Sequence, residues 1–283
     1  MKVLVTGYNG QLGYDVVREC EKHGIEAIGI DVQQLDITNE AAVKAYMEQV
    51  QPTILIHCAA YTAVDKAEDD IETCEKVNVA GTRYLAQACQ ELAIPMMYFS
   101  TDYVFSGNGE TPFEIDGEIA PTSVYGRTKW EGEEVVRQLV AEHFIIRISW
   151  VFGENGNNFI KTMLRLGSER TELNVIADQI GSPTYTADLA KLVVDMMQTQ
   201  KYGTYHASNE GFCSWADFAK EIFMIAGLDV IVHPIPTEQY PTRATRPKNS
   251  RMSKQALIDN GFELMPTWQD ATKRYIEILK NEN

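Results

Sequence analysis

"KVLVTGYNGQLGYDVVRECEKHG", residues 2–24, decides the fold. A short apolar run, 2–6, breaks at three glycines, Gly7, Gly10 and Gly13. "QLGYDVVRECEKHG" then reads as a helix closed by Gly24. Strand, glycine turn and helix within so few residues open an alternating α/β chain, and the following sequence keeps the rhythm. "IEAIGID" (25–31) is a second strand, and "NEAAVKAYMEQV" (39–50) a helix that Asn39 can cap. "TILIHCAA" (53–60) is nearly all apolar, as a strand buried on both faces should be. A long helix is expected over 72–93, a strand over "PMMYFST" (95–101), a helix over "SVYGRTKWEGEEVVRQL" (123–139), and one last strand over "HFIIRISWVFG" (143–153). Alternation of this kind predicts a parallel sheet covered on both faces, wound by right-handed crossovers into a doubly wound, Rossmann-like α/β fold.

Beyond Gly153 the pattern loosens. Amphipathic helices over "NNFIKTMLRLGSE" (157–169) and "WADFAKEIFMIAG" (215–227) alternate with short strands, "ELNVIAD" (172–178) and "GTYHAS" (203–208). "PIPTEQYPTRATRPKNSRMS" (234–253) reads as an ordered loop, and "TWQDATKRYIEILKN" as a final helix. The chain is expected to divide into a dinucleotide-binding domain over 1–150, using part of 173–206, and a smaller α/β substrate lobe over most of 151–283.

Composition narrows the function. The chain has 283 residues, 45% hydrophobic and 23% charged, ordinary for a globular protein of one large domain or two unequal lobes. With 25 Lys and Arg against 40 Asp and Glu the net charge is −15, so nucleic acid is not an expected partner. No apolar run approaches the roughly 20 residues that span a bilayer, so no membrane association is expected. The first residues open directly into a strand, which predicts no signal peptide and a cytoplasmic protein. Cys20, Cys58, Cys74, Cys89 and Cys213 have neither metal-ligand nor redox spacing, so free thiols and no metal site are expected.

The glycines are spaced GxxGxxG. That turn serves a dinucleotide if the pyrophosphate approaches the backbone and faces the helix N-terminus. Asp31 closes the second strand, where a carboxylate can bond the adenosine ribose hydroxyls and repel a 2′-phosphate, which favours NADH. Asp36 and Ile37, in "LDIT", can flank the adenine.

Tyr125 and Lys129 are four residues apart at the start of a predicted helix and so share a face. A nearby ammonium favours the ionised phenol and should lower the tyrosine pKa, making it a usable proton donor to a carbonyl. Thr101, 24 residues upstream, ends a buried strand, where doubly wound folds bind ligands, and its hydroxyl can orient the same oxygen. YxxxK alone equally fits a solvated pair on a helix; the glycine turn and Thr101 make the set specific. Trp150 by itself fits core as well as a ligand wall. Arg243, Arg246 and Arg251 crowd one loop, where at least one can pair with a substrate diphosphate. Asn78, inside the expected helix 72–93, can shape a proton relay or be purely structural.

Taken with these, "VTGYNGQLG", "HCAAYTAVDKAE", "STDYVFSG", "VYGRTKWEGE", "RISWVFG", "NNFIKTMLRL", "DQIGSPTYTADLA" and "TRPKNSRMS" span almost the whole chain. In them the sequence resembles the dTDP-4-dehydrorhamnose reductases, a family of the extended short-chain dehydrogenase/reductases. The resemblance implies reduction of the 4-keto group of dTDP-4-dehydro-6-deoxy-L-mannose by NADPH or NADH, giving dTDP-L-rhamnose for polysaccharide synthesis. It implies that Gly7, Gly10, Gln11, Leu12 and Gly13 contact the cofactor diphosphate, with Asp31, Asp36 and Ile37 at the adenosine end. Ala59, Ala60, Tyr61 and Thr62 would line the path to the nicotinamide. Thr101, Asp102, Tyr103, Trp150 and Arg243 would meet the nucleotide sugar, Tyr125 would donate the proton, and Lys129 would bond the nicotinamide ribose. It leaves a monomer and a homodimer both open. A nucleotide-sugar epimerase or 4,6-dehydratase is the rival enzyme, but dehydratases carry an acidic pair after the threonine where this chain has Asp102 and Tyr103. A non-catalytic, dinucleotide-binding regulatory subunit is the rival outside catalysis, and the intact Thr101, Tyr125 and Lys129 argue against it.

Overall fold

The computed structural model describes residues 1–281. The first half alternates as its periodicity requires: β1 (Lys2–Thr6), α1 (Gln11–Lys22), β2 (Glu26–Ile30), α2 (Glu40–Val50), β3 (Ile54–His57), the short α3 (Val64–Ala67) and α4 (Ile71–Glu75), α5 (Thr82–Leu92), β4 (Met96–Thr101), α6 (Val124–Leu139) and β5 (His143–Ile148). The second half contributes β6 (Val151–Phe152), α7 (Phe159–Glu169), β7 (Glu172–Ile176), β8 (Ile180–Gly181), β9 (Thr184–Tyr185), α8 (Thr186–Met197), β10 (Gly203–His206), β11 (Cys213–Ser214), α9 (Trp215–Ala226), β12 (Ile231–Ile235), β13 (Asn249–Ser250), α10 (Gln255–Asp259) and α11 (Trp268–Asn281).

Six strands form one parallel sheet in the order β10-β5-β4-β3-β1-β2. Its two faces are read out by alternation along each strand. Val3, Val5, Ile54, Ile56, Met97, Phe99, Phe144 and Ile146 pack with α1 and α8 on one side. Leu4, Leu55, Met96, Tyr98 and Ile145 pack with α2, α5 and α6 on the other. This is the doubly wound sheet expected, with β10 from the second half as an edge strand. A separate aromatic core of Phe152, Tyr185, Phe218, Trp268 and Tyr275 holds α7, α9 and α11 together. Three small sheets, β11-β8-β13, β12-β7 and β6-β9, lie in this second part.

Two elements differ from the expected pattern. The helix expected over 72–93 is broken between α4 and α5 by a π-helical turn, Lys76–Gly81. The wider turn admits Asn78, whose side chain accepts from Tyr61 N–H (2.8 Å) and donates to Tyr61 C=O (3.2 Å) and Thr128 Oγ1 (3.1 Å). The apolar run 143–153 is two strands, because Trp150 between them has a left-handed φ of 49°. A bulky residue in that region is strained and is held there by its surroundings.

Candidate active site

A cleft of about 640 Å³ runs along the C-terminal edge of the sheet, where ligands of doubly wound folds bind. It brings together Gly7, Gly10, Gln11, Leu12 and Gly13 at one end and Thr101, Asp102, Tyr103, Tyr125, Lys129 and Trp150 at the other. Asp31, Asp36, Ile37, Ala59, Ala60 and Thr62 line it as well, as do Cys58, Thr38 and Ser149, which no motif singles out.

The glycine turn is dictated by close approach. Gly7 has φ 70°, and a Cβ there would lie 2.7 Å from Ala59 N. A Cβ on Gly13 would lie 2.3 Å from Gly7 O, so only glycine lets α1 sit this close to β1. Gly10, the N-cap of α1, offers no side chain to the first-turn N–H groups, which face the cleft unclaimed by a cap. An anion fits there. At the far side, Asp31 accepts from Asn9 N–H (3.0 Å) and Val32 N–H (2.7 Å), so the carboxylate is held in place at the cleft wall. Asp36 closes its own turn by accepting from Thr38 N–H and Oγ1–H. The residues present therefore fit a dinucleotide: free N–H groups for the diphosphate and a fixed carboxylate for a ribose.

The opposite end is built by α6 docking on the turn after β4. Ser123 caps α6, accepting from Gly126 N–H at 3.1 Å. A Cβ on Gly126 would lie 2.2 Å from Tyr103 O, so glycine at 126 sets how near Tyr125 comes to Thr101. The Tyr125 ring meets Tyr103 edge-on, centroids 5.6 Å apart, and lines the same end of the cleft as the Thr101 hydroxyl. Thr101 donates to Asp102 Oδ1 (3.0 Å) and accepts from Tyr103 N–H (3.2 Å). Asp102 also accepts from Ser250 Oγ at 2.5 Å. Burial pushes its carboxyl up to about 6 against these bonds, which pull it down.

The expected lowering of the Tyr125 pKa is corrected here. Burial, and next the Asp102 carboxylate, push the phenol well above its usual range. Lys129 does not offset them: its Nζ sits over the Tyr98 ring, 4.0 Å from the centroid. Its own ammonium is pulled down to about 7, chiefly by burial. Tyr125 is thus a phenol that keeps its proton throughout the neutral range.

Two expected contact residues lie elsewhere. Tyr61 is not on the cleft wall; both its backbone groups are claimed by Asn78, and its hydroxyl donates to Asp70 at 3.4 Å. Arg243 is 64% exposed in its side chain and pairs with Asp69 at 2.7 Å, outside the cleft. Arg246 instead reaches inward, to Asp65 (2.6 Å) and the Tyr103 hydroxyl (3.4 Å). It lines a second cleft of about 990 Å³, with Asp65, Phe159, Arg170, Gln179 and Trp215. Trp215 stacks on Trp150 at 3.7 Å, so the paired indoles stand between the two clefts. Trp215 carried no sequence signal beyond the Ser214–Asp217 capping box at the start of its helix.

Among the described residues no helix is long and apolar enough to cross a membrane. None of their His, Cys, Asp and Glu side chains cluster in threes to hold a metal ion.

The sequence model of the RmlD substrate binding domain matches residues 1–281. A dTDP-4-dehydrorhamnose reductase of Aggregatibacter actinomycetemcomitans is 40% identical, over 96% of this chain and 97% of that protein. The crystal structure of a dTDP-4-dehydrorhamnose reductase from Clostridium acetobutylicum superposes with a TM-score of 0.97 at 42% identity, covering 99% of this chain and all of that one. That of a dTDP-4-dehydrorhamnose reductase from Bacillus anthracis, in complex with NADP, gives 0.95 at 44% identity over 98% of this chain and 100% of its own.

Proposed function

Since the chain belongs to the RmlD substrate-binding-domain family, that of the dTDP-4-dehydrorhamnose reductases, we propose that Thr101, Tyr125 and Lys129 carry out the reaction of that family in this cleft. The chain is a nicotinamide-dependent oxidoreductase: it reduces the 4-keto group of dTDP-4-dehydro-6-deoxy-L-mannose to the alcohol of dTDP-L-rhamnose. The single observation that carries the residue assignment is the convergence on one cleft of the glycine turn after β1, Thr101 at the end of β4, and Tyr125 and Lys129 on α6.

NAD(P)H, when bound, supplies the hydride that C4 of the sugar takes up. The chain supplies everything else. Gly10 and the start of α1 hold the diphosphate, and Asp31 the adenosine ribose. Tyr125 gives its phenolic proton to the C4 oxygen as negative charge develops on it. An alkoxide is far more basic than any phenol, so the raised Tyr125 pKa still leaves the transfer downhill. Thr101 orients the oxygen, and Lys129 reaches the nicotinamide ribose. Arg246 and Arg170 receive the substrate diphosphate in the second cleft, with Phe159 and Trp215 offering ring faces to the base. Residues 1–150 with α8 and β10 form the dinucleotide-binding lobe and the remainder the substrate lobe. Free thiols, Cys58 half-buried in the cleft among them, fit a reducing cytoplasm.

The test is consumption of NADPH or NADH in the presence of the 4-keto sugar nucleotide. Tyr125→Phe should lose roughly 10²–10⁴-fold in kcat while binding dinucleotide as before. Near-native turnover in that variant would remove Tyr125 from the mechanism.

A further inference from the structure

Thr101, beside the reaction's donor group, is held by a hydrogen-bond chain that ends outside the dinucleotide-binding sheet. Asp102 is 2% exposed, and both of its oxygens are taken, Oδ1 by Thr101 and Oδ2 by Ser250. Ser250 is 148 residues further along, on β13. Its position is over-determined. β13 pairs with β8, Ser250 opposite Gly181. A Cβ on Gly181 would lie 2.8 Å from Trp150 Cε2 and 3.0 Å from Ser250 Cβ, so that glycine is the seat on which both residues press. Asn249 beside it donates from its backbone to Gly107 C=O (2.8 Å) and from its side chain to Thr111 C=O (2.8 Å).

The arrangement has a chemical consequence. A threonine hydroxyl has one hydrogen. Directed at Asp102, it leaves only lone pairs for Tyr103 N–H and for the Tyr125 phenol that shares the cleft with it. The phenol then keeps its hydrogen on the donating side. Were Asp102 protonated or displaced, the Thr101 hydrogen could turn to Tyr125 and make the phenol an acceptor.

We propose that Ser250 is a positioning residue of the reduction: from the C-terminal segment it fixes Asp102, and through Asp102 the Thr101 hydroxyl, in the sense that keeps Tyr125 a proton donor. This rests on the reductase reading for its kinetic arm only. The titratable groups around Asp102 are Tyr125 and Lys129 from α6 and Tyr103 beside it, then Arg246 and Asp65 beyond Tyr103. Both phenols are raised by burial and stay neutral, and Arg246 and Asp65 pair with each other. Lys129, pulled down to about 7, titrates close by, so the Asp102 titration is the aspartate carboxyl signal that Asp102→Asn removes, and the Ser250 bond pulls it down against burial.

The experiment compares wild type, Ser250→Ala and Ser250→Thr, with Asp102→Asn to assign the signal. The Asp102 carboxyl is titrated by carbon-13 NMR of aspartate-labelled protein, and kcat and KM are measured against pH. A hydrogen bond to a charged group is worth enough to move the midpoint by roughly one to two pH units. Ser250→Ala should raise the Asp102 midpoint by that much and lose about tenfold more kcat at pH 6 than at pH 8, with KM nearly unchanged; threonine should restore both. An unmoved midpoint, or a pH-independent loss of kcat that threonine does not rescue, overturns the proposal. If the wild type does not reduce the sugar yet the midpoint moves as stated, the coupling stands and the reductase reading falls.

Discussion

Replacing Lys129 by methionine should stabilise the protein while removing its turnover. Lys129 is 3% exposed, with its ammonium against the face of Tyr98. The nearest anion is Glu133, one helical turn on, but its oxygens are occupied by Arg147 (2.9 and 2.8 Å) and Arg137 (2.7 Å). Glu133 therefore offsets little of the desolvation, and the ammonium falls from 10.5 to about 7. That difference of about 3.5, at 1.36 kcal/mol each, bounds the penalty near 5 kcal/mol. The sign follows from proton counting. Between pH 7 and 10.5 the unfolded chain holds a proton that the folded chain has lost, so wild-type stability rises with pH through this window. Below pH 7 both states hold it and the penalty is constant. Methionine keeps the length of the stem and sits well against an aromatic ring. At pH 6, Lys129→Met should be more stable by about 2–5 kcal/mol, which is on the order of 10 °C in Tm for a chain of this size. By about pH 10 the gap should have nearly closed. Thermal and urea denaturation at the two pH values decide it. A gap of equal size at both, or a variant less stable than wild type at pH 6, would refute the account of Lys129 as a charge held in the core at the expense of stability.

Two further outcomes concern ligand choice. Arg246→Ala should raise the KM for the sugar nucleotide by tenfold or more, since a charge-assisted bond contributes roughly 1.5–3 kcal/mol, with kcat little altered; Arg243→Ala, paired with Asp69 at the surface, should leave KM unchanged. Steady-state kinetics on both variants check this, and an effect confined to Arg243 would overturn the assignment of the second cleft. Asp31→Asn keeps one acceptor oxygen and removes the charge, and two charges at about 5 Å interact by roughly 1–3 kcal/mol. The NADPH-to-NADH ratio of kcat/KM should therefore rise by about tenfold; an unchanged ratio would mean that Asp31 does not face the 2′ position.

What the sequence made legible was what local geometry determines. Tyr125 and Lys129 fall on one face because a helix repeats every 3.6 residues, and the sheet's two cores follow from alternation in β1, β3, β4 and β5. Contacts of long sequence separation obey no such rule. Ser250 reaches Asp102 across 148 residues. Arg243 and Arg246 stand three apart in a loop without periodicity, and only the folded chain turns the second inward. Asn78 opens a π-turn because Tyr61's backbone happens to lie beside it, which its own neighbours in sequence do not reveal. The tyrosine pKa failed for a related reason: spacing places a lysine near a tyrosine but is silent on how deeply both are buried.

Burial also explains how an acidic chain takes two diphosphate-bearing ligands. The charges of the chemical site are nearly extinguished: Tyr125 keeps its proton, Lys129 half loses its own near neutrality, and Asp102 sits near the edge of protonation. The net −15 is spread over the whole chain, and beyond about 8–10 Å it is screened. What a phosphate meets is local: the uncapped N–H groups of α1 in one cleft, and Arg246 and Arg170 in the other. Arg246 is held by Asp65, so on the proposed placement of the diphosphate it would exchange one anion for another rather than enter an unbalanced positive field. That exchange weakens binding relative to a free arginine.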